Sequence, residues 1–83
     1  MRILYFARIR QIAGFGEEQV DVPADVKTVS ELIDLLSARD ASVAAALADH
    51  RTLRAALDKK HVPLDAPLGA ATEVAFFPPV TGG

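Results

Sequence analysis

The 83-residue sequence has no cysteine and no tryptophan, a single tyrosine and two histidines. Without thiols there is no disulfide framework, no cysteine-ligated metal site and no cysteine nucleophile. His50 and His61 lack partners at metal-ligand spacing, so both read as solvated loop residues and no metal site is expected. No apolar run approaches the ~20 residues of a membrane span. Met1-Arg2-Ile3 leads straight into a strand-like run, without the layout of a signal peptide. The formal charge of −2 lacks the basic excess of a nucleic-acid binder. A phosphate-cradling glycine loop is missing too. These absences point to a cytoplasmic protein with no metal, membrane or nucleic-acid partner.

What is present is a foldable chain. Hydrophobic residues make up 51% of it, which argues against disorder. The length fits one domain spanning residues 1–83. Ile3-Leu4-Tyr5-Phe6 predicts a first strand, with Ile3 and Tyr5 on one face and Leu4 and Phe6 on the other. Apolar residues on both faces imply either a strand covered twice or an exposed sticky face. Over Ala7 to Ala13 the period changes to helical, with Ile9, Ile12 and Ala13 aligned and Gly14 placed to end the turn. Gln19 to Val22 alternates as a half-buried strand closed by Pro23. Thr28 and Glu31 have capping-box spacing, and Val29, Leu32, Ile33 and Leu36 mark the buried face of a helix reaching about Arg39. Residues 42–58 stay open on pattern alone. Alanine propensity would carry a helix from Ser42 through Leu57, whereas Leu53, Ala55 and Leu57 alternate as in a strand after a turn at His50-Arg51-Thr52. Lys59-Lys60 fits a turn, His61-Val62 a short edge strand stopped by Pro63, and residues 65–69 a loop. Glu73 to Phe77 is the last strand. The sum is an α+β domain with a mixed sheet packed on one main helix.

No catalytic constellation stands out. Glu17, Glu18 and Asp21 read as solubilising charge without an acid/base pair, and Ser30, Ser37 and Ser42 lie within or cap helices. The informative stretch is the end, Phe76-Phe77-Pro78-Pro79-Val80-Thr81-Gly82-Gly83. Pro78 stops the strand, and two prolines in series favour an extended exit. The two glycines, lacking Cβ, can thread a narrow channel. Residues 78–83 are thus expected to protrude as a flexible tail, and Pro79 to Gly83 reach at most roughly 17 Å when extended. A terminal carboxyl, with a usual pKa of about 3.3–3.7, is ionised and a poor electrophile until activated. An acyl-adenylate would activate it, and a sulfur nucleophile could then convert it to a thiocarboxylate. The absence of cysteine suits such a carrier, since no internal thiol could intercept the activated group. Phe6 and Phe77, at the ends of the first and last strands, could share a face with Leu4 as core or as a partner anchor, with Arg8 and Arg10 as a basic rim.

The run Glu73-Val-Ala-Phe-Phe-Pro-Pro-Val-Thr-Gly-Gly83 strongly resembles the small, sulfur-carrier subunit of molybdopterin synthase. The opening Ile3-Leu4-Tyr5-Phe6-Ala7 with Arg10 and Gly14, and the helix start Thr28-Val29-Ser30-Glu31-Leu32, are similar to that family too. The resemblance implies a ubiquitin-like β-grasp fold with the last strand central and parallel to the first, which makes residues 53–58 a strand. It implies that Gly83 is the carrier residue, adenylated with ATP and Mg²⁺ by a ubiquitin-activating-type enzyme and given sulfur by a sulfurtransferase. The chain itself would bind no cofactor. A large, catalytic subunit would then take in Pro79, Val80, Thr81 and Gly82, and two sulfurs would pass to a cyclic pterin precursor. Phe6, Arg10, His61 and Phe77 match partner-contacting positions. The chain departs from the family where Ala71-Thr72 replaces a frequent Gly-Asp, a turn that Gly69 could rescue, and where His61 replaces an apolar interface residue. The alternatives are a carrier for thiamine thiazole synthesis, a ubiquitin-like modifier of lysines, and a plain interaction domain.

Overall fold

Alternation along the first strand decides how the layers form. The structure, a computed structural model, describes residues 1–79. In Arg2–Tyr5 (β1), Ile3 and Tyr5 are buried while Arg2 and Leu4 face the opposite side. Glu73–Phe77 (β5) lies parallel to it, with Ile3 opposite Val74 and Tyr5 opposite Phe76. Arg54–Leu57 (β3) flanks β5 on the other side, antiparallel, and Lys60–Val62 (β4) closes that edge. Glu17–Gln19 (β2) forms the opposite edge against β1. The five-stranded order is β2-β1-β5-β3-β4, so the last strand is central and parallel to the first. This is the ubiquitin-like β-grasp arrangement, and residues 54–57 are strand rather than helix.

One face of the sheet is covered by helices. Val29–Arg39 (α2) carries Val29, Leu32, Ile33 and Leu36, all essentially inaccessible, into the same cluster as Ile3, Tyr5, Val74 and Phe76. Burying each such side chain is worth roughly 1.5–3 kcal/mol. The capping box is complete: Glu31 N donates to Thr28 Oγ1 at 3.1 Å, and Thr28 N to Glu31 Oε1 at 3.1 Å. Ala41–Ala46 (α3) begins at Asp40, whose Oδ1 accepts from Ser42 N at 2.8 Å and Val43 N at 3.3 Å. Tyr5 stacks on Phe76 with centroids 6.1 Å apart and meets Phe15 edge-on at 5.5 Å.

Several boundaries differ from the sequence reading, each for a local reason. The second strand is residues 17–19 rather than 19–22, because its register with β1 sets Glu17 to Gln19 opposite Leu4 to Arg2. Val20 N donates to Met1 O at 2.9 Å and the Met1 ammonium to Val20 O at 2.7 Å, and pairing ends there. The β3–β4 turn falls at Asp58 and Lys59, with φ of 47° and 71°, not at Lys59-Lys60. Two central residues at positive φ are what a tight hairpin with native twist requires. Glu18 is not simply solubilising, since its Oε2 accepts from the Tyr5 hydroxyl at 2.7 Å. Burial above all, and then that hydrogen bond to a carboxylate, push the Tyr5 phenol well above its ordinary pKa.

Candidate functional site

The helices leave the other face of the sheet open. Register places Leu4, Ala75, Ala56 and His61 in one row across β1, β5, β3 and β4. Ala56 and Ala75 are buried at 5% and 8% exposure although no helix covers them, shaded by their larger neighbours. Leu4 is half-buried in the same row.

Two aromatic residues stand above the row. Phe6 N donates to Phe76 O at 3.1 Å, extending the parallel ladder by one residue. Ala7 then takes φ of 52°, and the chain swings into Ala7–Ala13 (α1) with Phe6 as its extended N-cap. A left-handed alanine costs roughly 1–2 kcal/mol. The turn it makes leaves the Phe6 ring 47% exposed on the open face. Phe77, the last residue of β5, is half-buried, and its ring lies 5.0 Å from the His61 imidazole at a tilt of 51°. His61 is therefore a strand residue rather than a loop residue, exposed to solvent with one side of its ring against Phe77. Phe6, His61 and Phe77 line one shallow depression of about 540 Å³ floored by Leu4 and Ala75. The core reading of Phe6 is excluded by its exposure.

Arg10 joins this face from α1 by way of Gly16. An added Cβ on Gly16 would come within 2.9 Å of Arg10 Nε, so the guanidinium lies directly against the Gly16 backbone. It lines an adjoining depression with Leu4 and Phe6. Arg8 does not share this rim. Two residues along a helix is about 200° of rotation, and Arg8 lines a separate cleft between α1 and α3 with Ile12 and Pro78.

β5 delivers the chain to this place. Its start is pinned by Asp58, whose Oδ1 accepts from Thr72 N at 3.1 Å, Thr72 Oγ1 at 3.3 Å and Glu73 N at 3.0 Å. That clamp, together with Gly69 at φ of 55°, makes the Ala71-Thr72 approach possible without a Gly-Asp pair. Asp58 was hidden in the sequence, because its three donors are about fifteen residues away in the chain. At the far end Phe77 passes into Pro78 and Pro79, both half-buried. The expectations for Val80, Thr81, Gly82 and Gly83 lie outside the described residues. Among the described residues no three metal-ligating side chains cluster, and no helix is long and apolar enough to cross a membrane.

Comparison with known proteins gives the geometry a context. The family described as the ThiS family matches residues 3–83. The molybdopterin synthase sulfur carrier subunit of Escherichia coli is 41% identical over 83 residues, covering 100% of this chain and 99% of its own. The protein of the same name from Haemophilus influenzae is 30% identical with the same coverage. Among solved structures, the small archaeal modifier protein 1 of Haloferax volcanii superposes with a TM-score of 0.73 at 27% identity, covering 95% of both chains. With the family match spanning nearly every residue and a 41% identical relative running the full length, this chain belongs to the ThiS family, among the molybdopterin synthase sulfur carrier subunits.

Proposed function

We propose that this chain carries sulfur on the carboxyl group of Gly83 for molybdenum cofactor biosynthesis. The observation that carries the reading is the placement of β5. It is central, parallel to β1, and runs out at Pro78-Pro79 beside an apolar depression, in a chain matched end to end by sulfur carrier subunits. A rigid sheet thus holds the root of the tail next to a surface suited to docking.

The chain is the non-catalytic small subunit of this chemistry. An adenylating enzyme of the ubiquitin-activating type, using ATP and Mg²⁺, joins the Gly83 carboxylate to AMP and releases pyrophosphate. A sulfur nucleophile supplied through a sulfurtransferase displaces AMP, leaving a thiocarboxylate. The large subunit of molybdopterin synthase then receives Pro79, Val80, Thr81 and Gly82 in its channel and docks on Phe6, Arg10, His61 and Phe77. Two such deliveries give a cyclic pterin its two dithiolene sulfurs. Each delivery returns Gly83 as a carboxylate, with water supplying the oxygen. A cycle that consumes ATP is in keeping with residence in the cytoplasm.

The resemblance to an archaeal modifier protein favours a second reading, in which the same activated carboxyl forms an amide with lysines of other proteins. Both readings use the tail, and the product separates them. Deleting Gly83 should leave the circular dichroism of the chain unchanged and abolish molybdopterin formation in the reconstituted synthase. Retained synthesis would refute the carrier role.

A further inference from the structure

Charge is unevenly distributed over this chain. The whole carries −2, yet cations border the open sheet face. Arg2, Arg10 and Lys59 line its two depressions. Register sets Arg54 beside Phe77. The carboxylates there are Glu17 and Glu73, and both lie against Arg2, at 3.1 and 3.6 Å. Arg2 is thereby more than offset by its two carboxylates.

Three cations of the face have no such partner. Among the described residues Arg54 and Lys59, on the β3–β4 side, and Arg10, beside β1 and β2, form no ion pair, and the carboxylate next to Lys59, that of Asp58, is engaged by the N–H groups of Thr72 and Glu73. Arg54 is held in place by Nη1 donating to the carbonyl oxygens of Arg51 and Leu53 at 3.2 and 3.1 Å, which leaves the rest of its donor fork unused. Lys59 is fixed at its backbone by the tight turn. His61, on the Phe77 ring, adds a polar group between them. An apolar centre with unpaired cations on either side of it is matched by a partner of the opposite pattern, because like charges at a docking rim cost affinity and slow encounter.

We infer that the synthase large subunit meets this face with an apolar patch bordered by carboxylates, set opposite Arg54, Lys59 and Arg10. The inference rests on the reading of this face as the docking face. The carboxylates fix the orientation of docking, so that the tail root points at the partner's channel, and they speed association by steering.

The test is the association rate of the full chain with the large subunit encoded by the same organism, followed by stopped-flow from about 50 to about 500 mM NaCl, where screening shortens from over 10 Å to a few ångströms. The wild-type rate should fall at least about tenfold across that range. The double variant Arg54→Glu/Lys59→Glu should associate about tenfold more slowly at low salt, with the gap closing at high salt. A control with the same change in net charge on the helical side, Lys27→Glu/Arg39→Glu, should stay within about twofold of wild type. A wild-type rate indifferent to salt overturns the inference without needing any variant. Equal slowing by both double variants also overturns it, since net charge rather than a matched border would be acting. Phe77→Ala separates the two levels of the argument. If it weakens binding while salt and charge reversal do nothing, the docking face stands and the carboxylate border falls. If Phe77→Ala is neutral as well, the docking face is wrong and the inference goes with it.

Discussion

Replacing Asp58 by glycine isolates the clamp that sets the start of the tail-bearing strand. Asp58 sits at φ of 47°, which glycine accepts freely, so the change removes the carboxylate without adding backbone strain. Three donors lose their acceptor: Thr72 N, Thr72 Oγ1 and Glu73 N. A net hydrogen bond is worth about 0.5–1.5 kcal/mol. Asp58 is exposed, so water replaces part of each bond, and the low end applies, about 1.5–2 kcal/mol for the three. The freedom glycine adds to the unfolded chain is offset by relief of the left-handed conformation that Asp58 holds. The expected loss of about 1.5–2 kcal/mol is a large share of the roughly 4–12 kcal/mol typical of a domain this size. Urea denaturation followed by circular dichroism measures it directly, and thermal melting should fall by roughly 6–16 °C. Asp58→Asn keeps both the left-handed geometry and one acceptor oxygen, so it should lose only about half as much. Amide exchange at Thr72 and Glu73 should quicken in the glycine variant ahead of global unfolding. If Asp58→Gly lies within about 0.5 kcal/mol of wild type, at the level of an ordinary surface change, the clamp has no energetic role and the register of β5 must be set elsewhere.

Two further outcomes follow from side chains that hold the sheet and its main helix. Thr28→Ala removes one half of the capping box of α2 and should cost about 1 kcal/mol in chemical denaturation, while Thr28→Ser should lose little. Tyr5, the only tyrosine, has its pKa raised in the folded state by burial and by its bond to Glu18. Its stabilising contribution is complete below the unfolded value of about 10 and is lost as pH rises above it, because the unfolded chain gives up the proton first. Phenolate absorbance should therefore appear together with unfolding, and Tyr5→Phe should remove that part of the alkaline loss. A phenolate forming in the intact fold would contradict the burial argument.

Much of this architecture was readable from local pattern. The capping box, the alternation of Ile3 and Tyr5, and Gly14 at φ of 92° ending α1 all agree between residues and structure. These features are decided within a few residues of themselves. What the pattern could not decide is what depends on distant partners. Residues 54–57 read equally as helix or strand until β5 and β4 are placed on either side. The Asp58-Lys59 turn carries no glycine to announce it, and the clamp joins segments far apart in the chain. Gly16 looks like loop filler until Arg10 is found lying against it. For the site, the sequence singled out Phe6, Arg10, His61 and Phe77, and the structure brings the three ring-bearing residues into one depression with Arg10 beside it. It misplaced Arg8, because proximity in sequence is not proximity around a helix. Leu4 has apolar neighbours on both strand faces for a reason that the sequence left open, since one face is core and the other is an uncovered surface.

The central claim is that Gly83 carries sulfur. Intact-mass and tandem mass spectrometry of the chain from cells actively making molybdopterin tests it most directly. The account predicts a fraction in which one carboxyl oxygen of Gly83 is exchanged for sulfur, lost when the adenylating enzyme is absent. Finding Gly83 in such cells only as a free carboxylate, or joined through an amide to lysines of other proteins, would contradict it.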